Sequence, residues 1–277
     1  MRFANIIVVI LGLICIAFGL IVSWTSRNLL LKVPSPVDDD SEWRVRIHAA
    51  GMTVGAAVTA GAVSGVLVLG LVGRLVMRIL AATSSDAQGG LTEAGETIGE
   101  ITSGGTIAFL IFVGLGGGVV SAFGYLVVRP WLPAKAGQAG LLFAVLAIGT
   151  LGVGDAFSPD NVDFDILTPR WLAVALVVAT GFLFGTTFTA LAARFERVAQ
   201  SKSRMGRWFY PLLALSLVPP LIVGTVLHVG IRSIAPSGLN TFTRSARVQR
   251  VGHILLAAAT VLTAYFSASA AIQILTS

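Results

Sequence analysis

Hydrophobic residues along this chain gather into long continuous runs instead of alternating with polar ones. Seven of these runs are long enough, or nearly so, to cross a bilayer. They cover about Phe3 to Trp24, Gly51 to Leu80, Thr106 to Val128, Gly140 to Phe157, Trp171 to Ala193, Tyr210 to Ile231 and Val251 to Leu275, the fourth being the shortest. Hydrocarbon offers no water to backbone N–H and C=O groups, so runs of this kind satisfy themselves as helices. The alternation over about ten positions that a membrane β-barrel needs is missing. The pattern predicts an all-α fold, a polytopic transmembrane bundle of about seven membrane-spanning helices. Residues 1–50 would form an N-terminal anchor helix and linker, and residues 51–277 a polytopic membrane domain. No small-x-small cleavage site follows the first run, which favours a retained anchor over a removed signal peptide. Trp24, Trp131, Trp171 and Trp208 fall at run ends, where an amphipathic ring prefers head-group depth.

Composition strengthens this picture, since 55% of the 277 residues are hydrophobic and only 12% are charged. The formal charge of +6 sits in clusters flanking the apolar runs, so the partner it implies is the lipid bilayer and not nucleic acid. The cluster Arg194, Arg197, Lys202, Arg204 and Arg207 places its loop on the cytoplasmic side, with the N-terminus outside. Arg232, Arg244, Arg247 and Arg250 then fall outside if the sixth run crosses. If Pro219-Pro220 breaks that run into a re-entrant hairpin, they return inside. One cysteine, Cys15, leaves no internal disulfide and no multi-cysteine zinc site.

Both versions put two acidic loops on the outer face, one with Asp86, Glu93, Glu96 and Glu100, the other with Asp155, Asp160, Asp163 and Asp165. In LTEAGETIGEI the glutamates fall on one helical stripe and Leu91, Ala94, Ile98 and Ile101 on another, as in a short interfacial helix. Arg74 and Arg78 lie one turn apart near the outer end of the second run, so they share a face and reach head-group depth. Together these residues read as an outward site, with arginines for an anionic group and carboxylates for a cation or as tethers for those arginines. The plainer reading is that the arginines snorkel and pair with nearby acids. Asn161, Asp163 and Asp165 imitate the first ligands of an EF-hand, but Ile166 and Leu172 stand where its glycine and bidentate glutamate belong. The alternation of Val162, Phe164 and Ile166 with acids suggests a short extended edge instead.

Gly61 and Gly65, Gly114 and Gly118, and Gly181 and Gly185 have the small-xxx-small spacing that lets helices approach closely. GLGGG at 114–118 has no helix start to receive a phosphate, so it reads as packing. His48, His228 and His253 lack metal-ligand spacing, and no nucleophile motif is complete, so neither catalytic residues, metal nor cofactor are expected. The nearest approach to the mid-membrane carboxylate of an ion-coupled carrier is Asp155.

The stretches GRLVMRILAATSSDAQGGLTEAGETIGEITSGGT, VVRPWLP and DFDILTPRWLAVALVV resemble an actinobacterial family of multi-pass integral membrane proteins, over about residues 51–193. The resemblance implies a plasma-membrane location and a helical bundle, and it implies no activity. The function expected is a non-enzymatic component or organiser of a membrane assembly. Its outward acidic-loop and arginine surface would meet a membrane-protein partner or a second copy. The alternative is a permease-like transporter of a small solute, its path lined by Thr186, Thr187, Ser216, Thr225 and His228. A membrane-embedded enzyme acting on lipid is the third reading.

Overall fold

The computed structural model describes residues 2–31, 43–84, 87–91, 97–100, 102–152, 157–158, 161, 163–200 and 245–276. The sixth apolar run lies outside them, with Ser216, Pro219-Pro220, Thr225 and His228. So do Asp86, Glu93, Glu96, Asp155 and Asp160.

Among the described residues the chain is helical and has no strand. Helix α1 (Arg2–Ser26) comes first. Helix α2 (Trp43–Ser64) runs through a π-helical segment, Gly65–Val72, into α3 (Gly73–Thr83). Helix α4 (Ser103–Phe109) runs through a second, Leu110–Gly116, into α5 (Gly117–Val128). Then follow α6 (Ala136–Ala147) with a π-helical end at Ile148–Gly152, the single turn α7 (Asp163–Ile166), α8 (Arg170–Gln200) and α9 (Ala246–Thr276). Among the described residues five stretches are long and apolar enough to cross a membrane: Ile6–Ser26, Gly51–Thr83, Ser103–Trp131, Arg170–Ala199 and Ala246–Thr276. The fourth run differs from its expected 140–157. Its apolar helix is the shorter Ala136–Thr150, which begins four residues early because Lys135 is extended and hands the chain directly into the first turn.

The helices pack around two main hydrophobic clusters, and α1 contributes to both, with Val22 in one and Cys15 in the other. Gly12 of α1 lies against Leu75, Gly19 lies against Thr187, and Val22 is buried with the residues of α2, α5 and α8. At the centre Tyr125, Phe143, Phe184 and Phe188 form an aromatic cluster, with ring centroids 5.0 Å apart for Tyr125–Phe188 and for Phe143–Phe188. Each such pair adds about 0.5–1.5 kcal/mol beyond the area it buries.

Backbone meets backbone along a glycine seam. A Cβ built on Gly61 would strike the Gly118 carbonyl, and one on Gly65 would strike the Gly114 carbonyl. Thus the second and third apolar runs touch where neither carries a side chain, as close-packed membrane helices do. Gly185 of α8 meets the Ala144 backbone in the same way, whereas Gly181 makes room for the Ile148 side chain. The last helix docks through Gly252, whose missing side chain makes room for the Trp131 indole, and through Thr263 against Gly149. Trp131 ends its apolar helix as expected, with its indole packed inward against Gly252. Its Nε1 is buried with no partner among the described residues, whereas Trp24 and Trp171 are exposed at their helix ends.

Two polar clasps close the bundle. At the end that holds the α3 C-terminus, Ser84 Oγ accepts from Thr168 N at 2.7 Å and donates to Thr168 O at 2.9 Å. Ser84 is wholly buried, so Ser84→Ala orphans both backbone groups. The expected cost is about 1–3 kcal/mol, read as a lowered unfolding midpoint in detergent. At the opposite end Leu31 N donates to Ala134 O and Ala136 N to Leu29 O, tying the chain after α1 to the start of α6.

Candidate functional site

Ser84 marks the end of the bundle where the charged residues of interest meet. Helix α3 places Arg74 and Arg78 one turn apart, and both line a cavity of about 440 Å³ beneath the loop at 97–100. Glu100 from that loop and Asp163 from α7 line it too. Three stretches far apart in sequence thus contribute two guanidiniums and two carboxylates to one space. The remaining wall is apolar, including Phe109 and Phe112. The size falls within the ordinary range of small-ligand sites.

Each arginine donates to a neutral oxygen. Arg74 Nη2 donates to Thr106 Oγ1 at 2.9 Å, and its guanidinium lies 5.6 Å from the Phe109 ring centroid. Thr106 sits where it does because Thr102 caps α4, its hydroxyl accepting from Gly105 N at 3.1 Å. Arg78 Nη1 donates to Gly99 O at 3.0 Å, which uses one of its five N–H donors. The Gly99 carbonyl is presented by a turn that needs φ +90° at that residue, a conformation glycine adopts without strain.

That turn corrects the interfacial helix expected over LTEAGETIGEI. Leu91 bridges Thr97 antiparallel, Ile98 N donates to Gly90 O, and Gly89 N donates to Ile98 O. Gly89, at φ +84°, and Gly99 both leave the right-handed helical region, and among the described residues 97–100 form a turn where helix was expected. Ile98 is buried and Glu100 exposed by the turn instead.

The second acidic loop also departs from expectation. Asn161 Oδ1 accepts from Asp163 N at 2.8 Å, and Phe164 N donates to Asn161 O, so an N-cap starts the helical turn α7 where an extended edge was expected. The turn buries Phe164 against Phe157 and separates the two aspartates. Asp163 faces the cavity, while Asp165 is exposed and pairs with Arg170 at 3.3 Å. No group of three or more His, Cys, Asp or Glu side chains is placed to hold a metal among the described residues.

The opposite end holds a feature that the residue pattern does not announce. Arg129 Nη2 and Glu196 Oε2 are 2.7 Å apart, with side chains 10% and 3% exposed. The other carboxylate oxygen, Glu196 Oε1, is buried with no partner among the described residues. Beside this pair Arg194 donates from Nε to Ser26 Oγ at 2.7 Å, joining α8 to the end of α1. Within RFERVAQ the glutamate looks like one more solvated charge. The available signal is its position in a helix otherwise continuous with an apolar run. Of the residues expected to line a transport path, Thr186 and Thr187 are described. Thr186 donates back to Phe182 O and packs on Gly140, and Thr187 is wholly buried against Gly19.

No family model matches the chain, nor does any curated protein or any solved structure.

Proposed function

We propose that the protein is a multi-pass, non-enzymatic component of a plasma-membrane assembly whose recognition element is the cavity around Arg74 and Arg78. One observation carries the reading: charged side chains from α3, from the loop at 97–100 and from α7 converge in a single apolar-walled space. Helices that merely packed would have no reason to gather four ionisable groups at one place. On the positive-inside rule, the basic cluster that begins at Arg194 in the last turns of α8 would face the cytoplasm, and the cavity at the other end of the bundle the outer side. Apolar outer flanks and an outward polar recess suit a protein that organises others. The test is purification of the tagged chain from its native membrane in gentle detergent, with mass spectrometry of what co-elutes. A stoichiometric partner is expected, and Arg74→Ala is expected to lower its recovery about ten-fold at unchanged expression. Elution alone, or partner recovery indifferent to Arg74, sinks the assembly reading.

Glu196 favours a second reading, the permease-like transporter of a small solute. Ionisable groups buried between apolar helices mark solute and proton paths in many carriers, and Glu196 is a buried carboxylate of that kind. Flux into vesicles that is lost in Arg74→Ala, without loss of any co-eluting protein, is the outcome that selects it. Of its expected lining, Thr186 is half-buried beside Gly140, and the Thr187 hydroxyl is buried against Gly19 with no partner among the described residues.

A further inference from the structure

The cavity has walls of two kinds, and their arrangement names an occupant. Its polar lining is Arg74 and Arg78 of α3, Gly99 and Glu100 of the loop at 97–100 and Asp163 of α7, with Arg78 donating to Gly99 O. Its apolar wall continues along α4 into the π-helical segment through Phe109, Phe112 and Val113. Phe112 is 76% exposed and its neighbours Ile111 and Val113 are exposed as well, so this side of the cavity opens on the apolar flank of the bundle. Phe112 lies nine residues into the helix that starts at Ser103, roughly 14 Å along its axis, which is about half the thickness of a hydrocarbon core. A ligand entering here would have its polar part at head-group depth and an apolar part against the aromatic wall.

Charge decides which polar part. Two guanidiniums match a phosphate, since guanidinium forks and phosphate oxygens form short charge-assisted hydrogen bonds. Two carboxylates line the same cavity, so a purely anionic head group would bring its phosphate against Glu100 and Asp163. A primary ammonium, with three donors, satisfies carboxylates instead. We propose that the cavity holds the head group of an amine-bearing phospholipid, its phosphate on Arg74 and Arg78, its ammonium on Glu100 and Asp163, and an acyl chain along Phe109 and Phe112. The inference rests on the reading of the cavity as the recognition element and gives it a lipid of defined chemistry. Phosphatidylethanolamine has the required groups. Phosphatidylglycerol lacks the amine, and in phosphatidylcholine the nitrogen carries no N–H.

Native mass spectrometry of the delipidated full chain, titrated in turn with these three lipids and with soluble phosphoethanolamine, tests it. Phosphatidylethanolamine is expected to be retained about ten-fold better than either other lipid. Glu100→Gln, an exposed change that keeps the side-chain volume, is expected to bring its retention down to the phosphatidylcholine level. Arg78→Ala is expected to weaken all three lipids together. Equal retention of the three by the unaltered chain overturns the proposal, a result that needs no variant and so is independent of any folding defect. Soluble phosphoethanolamine binding as tightly as the lipid overturns the membrane source and leaves a solute pocket. If phosphatidylethanolamine selectivity is absent while a protein partner still co-elutes in an Arg74-dependent way, this inference falls and the assembly reading stands. If the lipid is retained selectively and no partner co-elutes, the inference stands and the assembly reading falls.

Discussion

Replacing Glu196 with alanine is expected to lower the stability of the bundle by about 3–5 kcal/mol, and Arg129→Ala by a similar amount. The reason is what each substitution strands. Arg129 and Glu196 meet at 2.7 Å with almost no water contact, so deleting one leaves the other charge buried in a medium that cannot solvate it. Removing both is a different experiment. A leucine at 196 with a methionine at 129 takes away two desolvated charges together, and that change is expected to be near neutral or mildly stabilising, because apolar replacements of buried pairs commonly are. Thermal unfolding in detergent of the two single variants and the double variant forms a cycle. A coupling of several kcal/mol identifies the pair as mutually dependent. Single variants that melt with the unaltered protein would mean that water or lipid head groups reach Glu196 and that it is not buried in the folded chain.

The glycine seam should be the second most sensitive place in the molecule. Gly61→Leu and Gly65→Leu put a side chain against the carbonyls of Gly118 and Gly114. Backbone atoms cannot swing aside as a flexible side chain can, so the helices must separate. Overpacking a well-packed interior costs about 1–3 kcal/mol and occasionally more, and here the upper end is expected, with loss of the monodisperse species on size-exclusion chromatography. Gly104 and Gly124 supply the contrast. A Cβ at either meets nothing within 4 Å, and both sit in helices, so alanine there should leave stability unchanged or raise it by about 0.5–1 kcal/mol. Equal tolerance at the seam and at Gly104 would mean that the two helices do not touch as described.

Much of the architecture is legible from residue order. Runs of apolar residues with no period of two can only be helices where hydrocarbon surrounds them, so helices α1, α8 and α9 and the two long π-interrupted helices follow from composition over short windows. The small-xxx-small spacing of Gly61 and Gly65 and of Gly114 and Gly118 is visible too, because one turn of helix brings residues four apart onto one face. Arg74 and Arg78 share a face for the same reason.

Other features depend on what lies across from what. A glycine spacing says that a helix has a flat face and is silent on its partner. Only the packed bundle sets Gly61 against Gly118 and Gly181 against Ile148. The π-helical segments add to this, since a helix wound with i to i+5 bonds turns the faces beyond it away from where an uninterrupted wheel would put them. Among the described residues, 97–100 turn where helix was expected because Gly99 adopts left-handed geometry, and 163–166 turn helical where an extended edge was expected because Asn161 caps them. Glu196 gives no sign of its role in the sequence because burial is not a property of a residue type, and its partner stands 67 positions away. The sequence by itself determined that this chain is a set of apolar helices with arginines and acids at their ends. Which of those charges meet in a cavity and which are sealed into the bundle was decided by tertiary packing, because the free energy of a charge depends on the groups and the water around it and not on its neighbours in the chain.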